Sequence, residues 1–239
     1  MRVFPAIDLI NQQCVRLKQG DYNVQTIYGN PVEMANEWVK EGASFLHIVD
    51  LDAIKGDYSK NFGVIKQMIE EVSIPVQVGG GVRNIERINE LLDIGVDRVI
   101  LGTVAVKDPD FVKDVVERFG GEKIIVSVDA RNGYVATDGW IEISNLKAIE
   151  FAYKLQKAGI QSIVYTDIAK DGMLQGPNLE ALFQMNNLTE LEVIASGGVT
   201  SIEDIRELSK ANIYGAIVGK ALYEGKISLL EIMKEPSIC

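Results

Sequence analysis

The chain has a single histidine, His47, which removes a histidine dyad and a multi-histidine zinc site from consideration. Any proton transfer falls to carboxylates. His47 stands in Phe45-Leu46-His47-Ile48-Val49-Asp50, an apolar strand pattern in which a hydrogen-bonded packing histidine is expected rather than a ligand. There are only two cysteines, Cys14 and Cys239, one near each end, which is neither a disulfide framework nor a metal-ligand cluster. Basic residues are short: 24 Lys and Arg against 34 Asp and Glu, a formal charge of -10. Such a field repels nucleic acid and anionic lipid, so any phosphate must be held locally. No apolar run reaches the roughly 18 residues of a membrane span, and the chain opens with Met1-Arg2-Val3-Phe4-Pro5 straight into a strand-like segment. The expectation is a cytoplasmic, soluble protein with neither nucleic acid nor membrane as partner. No Pro/Gly linker or low-complexity stretch divides it, so one domain is expected over residues 1–239.

What the chain does contain is a regular alternation. Short Val- and Ile-rich runs alternate with amphipathic stretches, the pattern of repeated βα units on a parallel sheet. The strand candidates are Val3–Asp8, Phe45–Leu51, Pro75–Gly79, Arg98–Gly102, Ile124–Asp129, Ser162–Asp167, Glu192–Ser196 and Gly215–Gly219. Helical patterns follow them at Pro31–Glu41, Asn61–Val72, Ile85–Ile94, Pro109–Phe119, Asn145–Ala158, Leu179–Asn186, Ile202–Ala211 and Ile227–Lys234. Start signals occur at Asn30-Pro31, Asp108-Pro109, Pro177-Asn178 and Ser201 with Glu203-Asp204. In 239 residues, eight strands each followed by a helix close a (β/α)8 TIM barrel. An open doubly wound sheet is the competing arrangement.

An internal repeat organises the chain. Val78-Gly79-Gly80-Gly81-Val82-Arg83 resembles Ala195-Ser196-Gly197-Gly198-Val199-Thr200, and Ile100-Leu101-Gly102-Thr103 resembles Ile217-Val218-Gly219-Lys220. The offset is 117 residues for Gly81 to Gly198, Gly102 to Gly219 and Gly42 to Gly159, and 121 for Asp8 to Asp129. Two half-barrels, approximately 1–120 and 121–239, are therefore expected within the one domain.

Glycines after a strand and before a helix let the backbone approach an anion, and the free N–H groups of the helix start attract it. An isolated Gly-Gly serves a tight turn equally well. Paired glycine sites at adjacent strand ends, present twice, point instead to two phosphate sites: Ser196-Gly197-Gly198 with Gly219-Lys220, and Gly80-Gly81 with Gly102-Thr103. The implied ligand is a small molecule with a phosphate at each end. Asp8 and Asp129 end equivalent strands of the two halves, so their carboxylates are expected to face each other between those sites and serve as acid and base. Thr166 can hydrogen-bond a sugar hydroxyl or orient Asp129. Gly172 and Gly176 lie in a charged loop at the catalytic face, which reads either as a loop that orders or closes there or as a plain βα connection. Trp140, at the end of a hairpin read over Arg131–Trp140, either stacks on a flat heterocycle or packs beneath its loop. Arg83 is a candidate phosphate clamp.

Together, Pro5-Ala6-Ile7-Asp8-Leu9, Cys14-Val15-Arg16-Leu17, Gly79-Gly80-Gly81-Val82-Arg83, Ser127-Val128-Asp129, Gly139-Trp140, Thr166-Asp167-Ile168, Lys170-Asp171-Gly172 and Ser196-Gly197-Gly198-Val199 carry a resemblance. The chain resembles the phosphoribosylformimino aminoimidazole carboxamide ribotide isomerases of histidine biosynthesis over essentially its whole length. The resemblance implies an Amadori rearrangement, aminoaldose to aminoketose, with no cofactor and no metal. By it, Asp129 protonates the ribose ring oxygen and Asp8 removes the C2 proton. The chain departs from that family's usual pattern after Asp8, where Asn11-Gln12-Gln13 replaces an acid-Gly-Lys turn, so no lysine role is carried over there. Three other readings stand beside this one: the sister cyclase synthase subunit, an isomerase that also accepts phosphoribosylanthranilate, and a non-catalytic sugar-phosphate sensor. A monomer is expected.

Overall fold

The computed structural model describes residues 1–18, 20–236 and 238; Cys239 lies outside the described residues. The strands in chain order are β1 (Arg2–Ile10), β2 (Gln13–Lys18), β3 (Asp21–Gly29), β4 (Leu46–Asp50), β5 (Val76–Gly79) and β6 (Arg98–Leu101). They continue with β7 (Ile124–Arg131), β8 (Tyr134–Thr137), β9 (Glu142–Lys147), β10 (Ser162–Asp167), β11 (Glu192–Ser196) and β12 (Gly215–Val218). Parallel pairing runs β1-β4-β5-β6-β7-β10-β11-β12 and returns to β1, so the sheet closes on itself. Helices flank it, and the result is the (β/α)8 barrel rather than the open sheet.

Period-two alternation within the strands decides what enters the lumen. In β1, Phe4 and Ala6 belong to the inner cluster and Val3, Ile7 and Leu9 to the outer core against the helices, so Asp8 falls on the inner face. In β7, Ile125 points inward and Ile124, Val126 and Val128 outward, which carries Ser127 and Asp129 to the same side as Asp8. Each such fully buried aliphatic side chain contributes roughly 1.5–3 kcal/mol, so a one-residue slip of either strand, reversing its faces, is strongly disfavoured. At the opposite end of the lumen the Arg98 guanidinium lies over the Phe4 and Phe45 rings, 5.5 and 4.3 Å from their centroids, and all three residues are buried.

The helix starts follow local chemistry. Asn30, Asn84, Asp108 and Asn178 accept backbone N–H groups of the helices they precede, and Ser201 forms a capping box with Asp204. Helix Ala148–Lys157 starts later than the expected Asn145, because Glu142–Lys147 is strand β9. The last expected helix, Ile227–Lys234, shrinks to the single turn Leu229–Ile232. Strands β6 and β12 stop one residue short, because Gly102 (φ -110°, ψ -116°) and Gly219 (φ -114°, ψ -100°) turn the chain into the short helices Thr103–Lys107 and Lys220–Tyr223.

Each aspartate-bearing strand runs on into an antiparallel excursion at the mouth: β1-β2-β3 in one half and β7-β8-β9 in the other. The second contains the expected hairpin, turning at Asn132-Gly133 (φ 52° and 80°). The first was not expected. Its turn, Asn11-Gln12 (φ 52° and 60°), lies 121 residues before Asn132-Gly133, the offset that separates Asp8 from Asp129. Hairpin register repeats too: Leu9 faces Cys14 and Ile10 faces Gln13, as Ala130 faces Val135 and Arg131 faces Tyr134.

Candidate active site

A cavity of about 380 Å³ opens at the C-terminal ends of the barrel strands, lined from both halves by Asp8, Asp129, Gly80, Gly81, Gly197 and Gly198, among others. This is the end at which barrel enzymes build their sites, because the βα loops converge there. His47 also lines the cavity, with Nδ1 2.9 Å from Gln77 Nε2. Burial and the cations Arg16 and Arg98 hold its pKa down to about 3, so the ring is neutral.

Asp8 is held by an arginine delivered across the first hairpin. Val15 pairs with Asp8, and the next residue, Arg16, places Nη1 2.7 Å from Asp8 Oδ2 while Nη2 donates to the Ala6 carbonyl at 3.0 Å. The Tyr223 ring lies 5.3 Å from the guanidinium centre, and its hydroxyl donates to the same Ala6 carbonyl at 2.9 Å. Burial raises the Asp8 pKa, and Arg16 opposes the rise by charge and by hydrogen bond. A Cβ on Gly219 would strike the Arg16 guanidinium, so glycine there also makes room for the arginine.

Asp129 has neutral partners instead. Ser127 Oγ donates to Oδ1 at 2.7 Å and Trp140 Nε1 to Oδ2 at 2.9 Å. The Trp140 ring packs beside Gly20 of the β2–β3 turn, where a Cβ would stand 2.8 Å from Cε3, so the two excursions meet over the mouth. Thr166, buried, pairs in register with both Asp129 and Ser196.

The glycine turns have matching backbones. Gly80, Gly81, Gly197 and Gly198 all have positive φ, and a Cβ on Gly80, Gly81 or Gly198 would run into the carbonyl oxygens of Asp50, Ala53 or Gly176 respectively. Gly102 faces open space. Thr103 Oγ1 accepts the Asp138 N–H at 2.8 Å, and Lys220 Nζ donates to the Gly172 carbonyl at 3.0 Å. Arg83 lines the cavity, with Nη1 2.7 Å from Tyr58 Oη and Nη2 2.6 Å from the Ile54 carbonyl, so it braces the neighbouring loop. Gly172 lines the cavity; Gly176 stands behind Gly198 rather than at the cavity wall.

Two side chains complete the site that sequence reasoning gave no role. Arg16 is one. The other is Asp171, in the loop after β10, whose pKa burial pushes up to about 6, with Arg16 opposing and the Asp8 and Asp129 charges adding to the rise. Three carboxylates thus share the mouth with Arg16 and Lys220.

A closed parallel barrel with glycine turns and carboxylates gathered at its C-terminal face defines a (β/α)8-barrel enzyme. The chain belongs to the histidine biosynthesis protein family, whose sequence model matches residues 2–228. It is 52% identical to a protein of Oceanobacillus iheyensis over 98% of either chain. It is 50% identical to one of Lachnoclostridium phytofermentans over 96% of either, and 48% identical to one of Bacillus cereus over the full length of both. All three relatives are named 1-(5-phosphoribosyl)-5-((5-phosphoribosylamino)methylideneamino) imidazole-4-carboxamide isomerase.

Proposed function

We propose that the chain isomerises phosphoribosylformimino aminoimidazole carboxamide ribotide, a bisphosphorylated aminoaldose, to its aminoketose in histidine biosynthesis. The observation that carries the reading is that Asp8 and Asp129, one from each half, line one cavity together with two matching glycine turns. One phosphate binds at Gly80-Gly81 with Gly102-Thr103 and the other at Ser196-Gly197-Gly198 with Gly219-Lys220, which sets the sugar between the carboxylates. A proton delivered to the ring oxygen opens the ribose to a protonated Schiff base. Asp8, whose Oδ2 lies 2.7 Å from Arg16 Nη1, removes the C2 proton, and the resulting enolamine tautomerises to the ketone. The ring-oxygen proton comes from Asp129. A second assignment of this acid rests on a specific observation: both Asp129 oxygens accept hydrogen bonds, and Asp171, whose pKa burial raises to about 6, lines the same cavity. Thr166 orients Asp129 from the adjacent strand, and Trp140, once released from Asp129, stacks on the flat carboxamide ring.

Among the described residues no helix is long and apolar enough to cross a membrane, and the proposed setting is the cytoplasm, with a monomer acting on a small molecule. The deciding experiment incubates the protein with the bisphosphorylated aminoaldose, and separately with the aminoketose plus ammonia. Ketose formation in the first and no reaction in the second is expected. Consumption of the ketose with ammonia marks a cyclase, and binding without turnover marks a sensor.

A further inference from the structure

The hairpin turn that delivers Arg16 to Asp8 lacks the residue its geometry favours. Asn11 and Gln12 both sit in the left-handed region (φ 52° and 60°). Asparagine tolerates that conformation and glutamine resists it, whereas glycine adopts it freely. The equivalent turn of the other half, Asn132-Gly133, has glycine at the second position. Something outside the turn must hold Gln12.

Asn61 does so. It is fully buried, and its Oδ1 accepts the Gln12 N–H at 2.8 Å. Its Nδ2 donates to Asp50 Oδ1 at 2.7 Å and to Asp52 Oδ2 at 2.9 Å, and the same Asp52 oxygen accepts the Asn11 N–H at 2.7 Å. Both amides of the turn therefore end on one network, tied to the barrel at the end of β4. Asn61 also precedes helix Phe62–Glu71 at the position where asparagine usually caps, yet makes no capping hydrogen bond. Its amide serves the turn instead. Hairpin register depends on the turn, and register decides whether Arg16 meets Asp8: Val15 pairs with Asp8, and a slip by one residue would send the Arg16 side chain to the other face.

We propose that Asn61, with Asp52, is a positioning residue for catalysis: it holds the glycine-free Asn11-Gln12 turn in the left-handed conformation that sets Arg16 against Asp8. The inference rests on the isomerase reading above.

The test measures aminoaldose turnover and thermal unfolding in four chains: wild type, Asn61→Ala, Asn61→Ala with Gln12→Gly, and Gln12→Val. Asn61→Ala is expected to lower kcat about thirtyfold with KM within about threefold, since a displacement near 1 Å costs that order of rate. Adding Gln12→Gly, which makes the turn like Asn132-Gly133, is expected to recover about tenfold. Gln12→Val acts from an exposed position and is expected to lower kcat about tenfold in a folded chain. Should Asn61→Ala fail to fold, Gln12→Val alone decides. Unchanged kcat in folded Asn61→Ala or in Gln12→Val overturns the proposal, as does failure of the glycine to recover rate, which would mark Asn61 as core packing only. A wild-type chain inactive on the aminoaldose removes the isomerase reading itself, and the proposal with it.

Discussion

Asp8 and Asp129 occupy equivalent places in the two halves, on strands of the same alternation, before hairpins of the same register, yet their electrostatic surroundings have diverged. The position that is Arg16 beyond Asp8 is Thr137 beyond Asp129, at the same offset of 121 residues. One carboxylate therefore gained a fixed positive charge, and the other an indole N–H and a hydroxyl. Backbone symmetry set both carboxylates on the wall of one cavity, and in the proposed reaction the side chains of the excursions are what make one the base and the other the acid. Separating the tendencies of paired acids in this way is how one site runs acid and base chemistry together.

The comparison can be broken most severely at the carboxylates. Asp8→Asn and the substitution of the true acid are each expected to cut kcat by about a hundredfold or more with affinity within about tenfold. Steady-state kinetics on Asp129→Asn and Asp171→Asn assigns the acid: the variant with the larger loss carries the proton, and the other loses less than about tenfold. Both near wild type would refute carboxylate catalysis from this side of the mouth.

Removing the charge asymmetry comes next. Arg16→Leu is expected to lower kcat/KM about tenfold near neutrality. The sign follows from the base role: Arg16 lowers the Asp8 pKa, so its loss raises that pKa and moves the acid limb of the kcat/KM profile to higher pH. A limb that stays in place means Arg16 does not tune Asp8. Trp140→Phe, which keeps a ring and deletes the N–H donor to Asp129, is expected to change kcat by only about threefold; a hundredfold loss would show that the indole N–H itself takes part in the chemistry.

The smallest effect concerns stability. Asp171 has a folded-state pKa near 6, above its ordinary value, so between about pH 4 and 6 the folded chain holds a proton that the unfolded chain has released. Its contribution therefore falls as pH rises through that window. Asp171→Asn is expected to be stabilising by about 1–2 kcal/mol at pH 8 and near neutral at pH 4, read from unfolding midpoints at the two values. An equal effect at both would place the shift elsewhere.

Much of this was legible in the residues, for identifiable reasons. Phe4-Ala6-Asp8 and Ile125-Ser127-Asp129 state their inner faces by alternation, and the glycines mark positive φ at the strand ends. The β2–β3 ribbon was not legible, because much of Asp21–Gly29 is exposed and shows no alternation. Arg16 was missed for a linked reason: its partner is set by a turn with glutamine where the hairpin signal is glycine. Asp171 was visible as a loop residue, but its raised pKa comes from burial among groups far away in sequence. Arg83 was legible as a cation beside a glycine turn, but the contacts of its N–H groups with Tyr58 and Ile54 were not, because those residues lie 25 and 29 positions earlier in the chain.

Arg98, lying over the Phe4 and Phe45 rings, and the inner cluster they belong to fill the base of the lumen and make the barrel a blind well rather than a passage. Traffic then has one doorway, the one crowded by both excursions. In the proposed reaction product backs out by the route along which the next substrate arrives. Reactant and product would then compete for one berth, so added aminoketose is expected to raise the apparent KM for the aminoaldose and leave kcat unchanged.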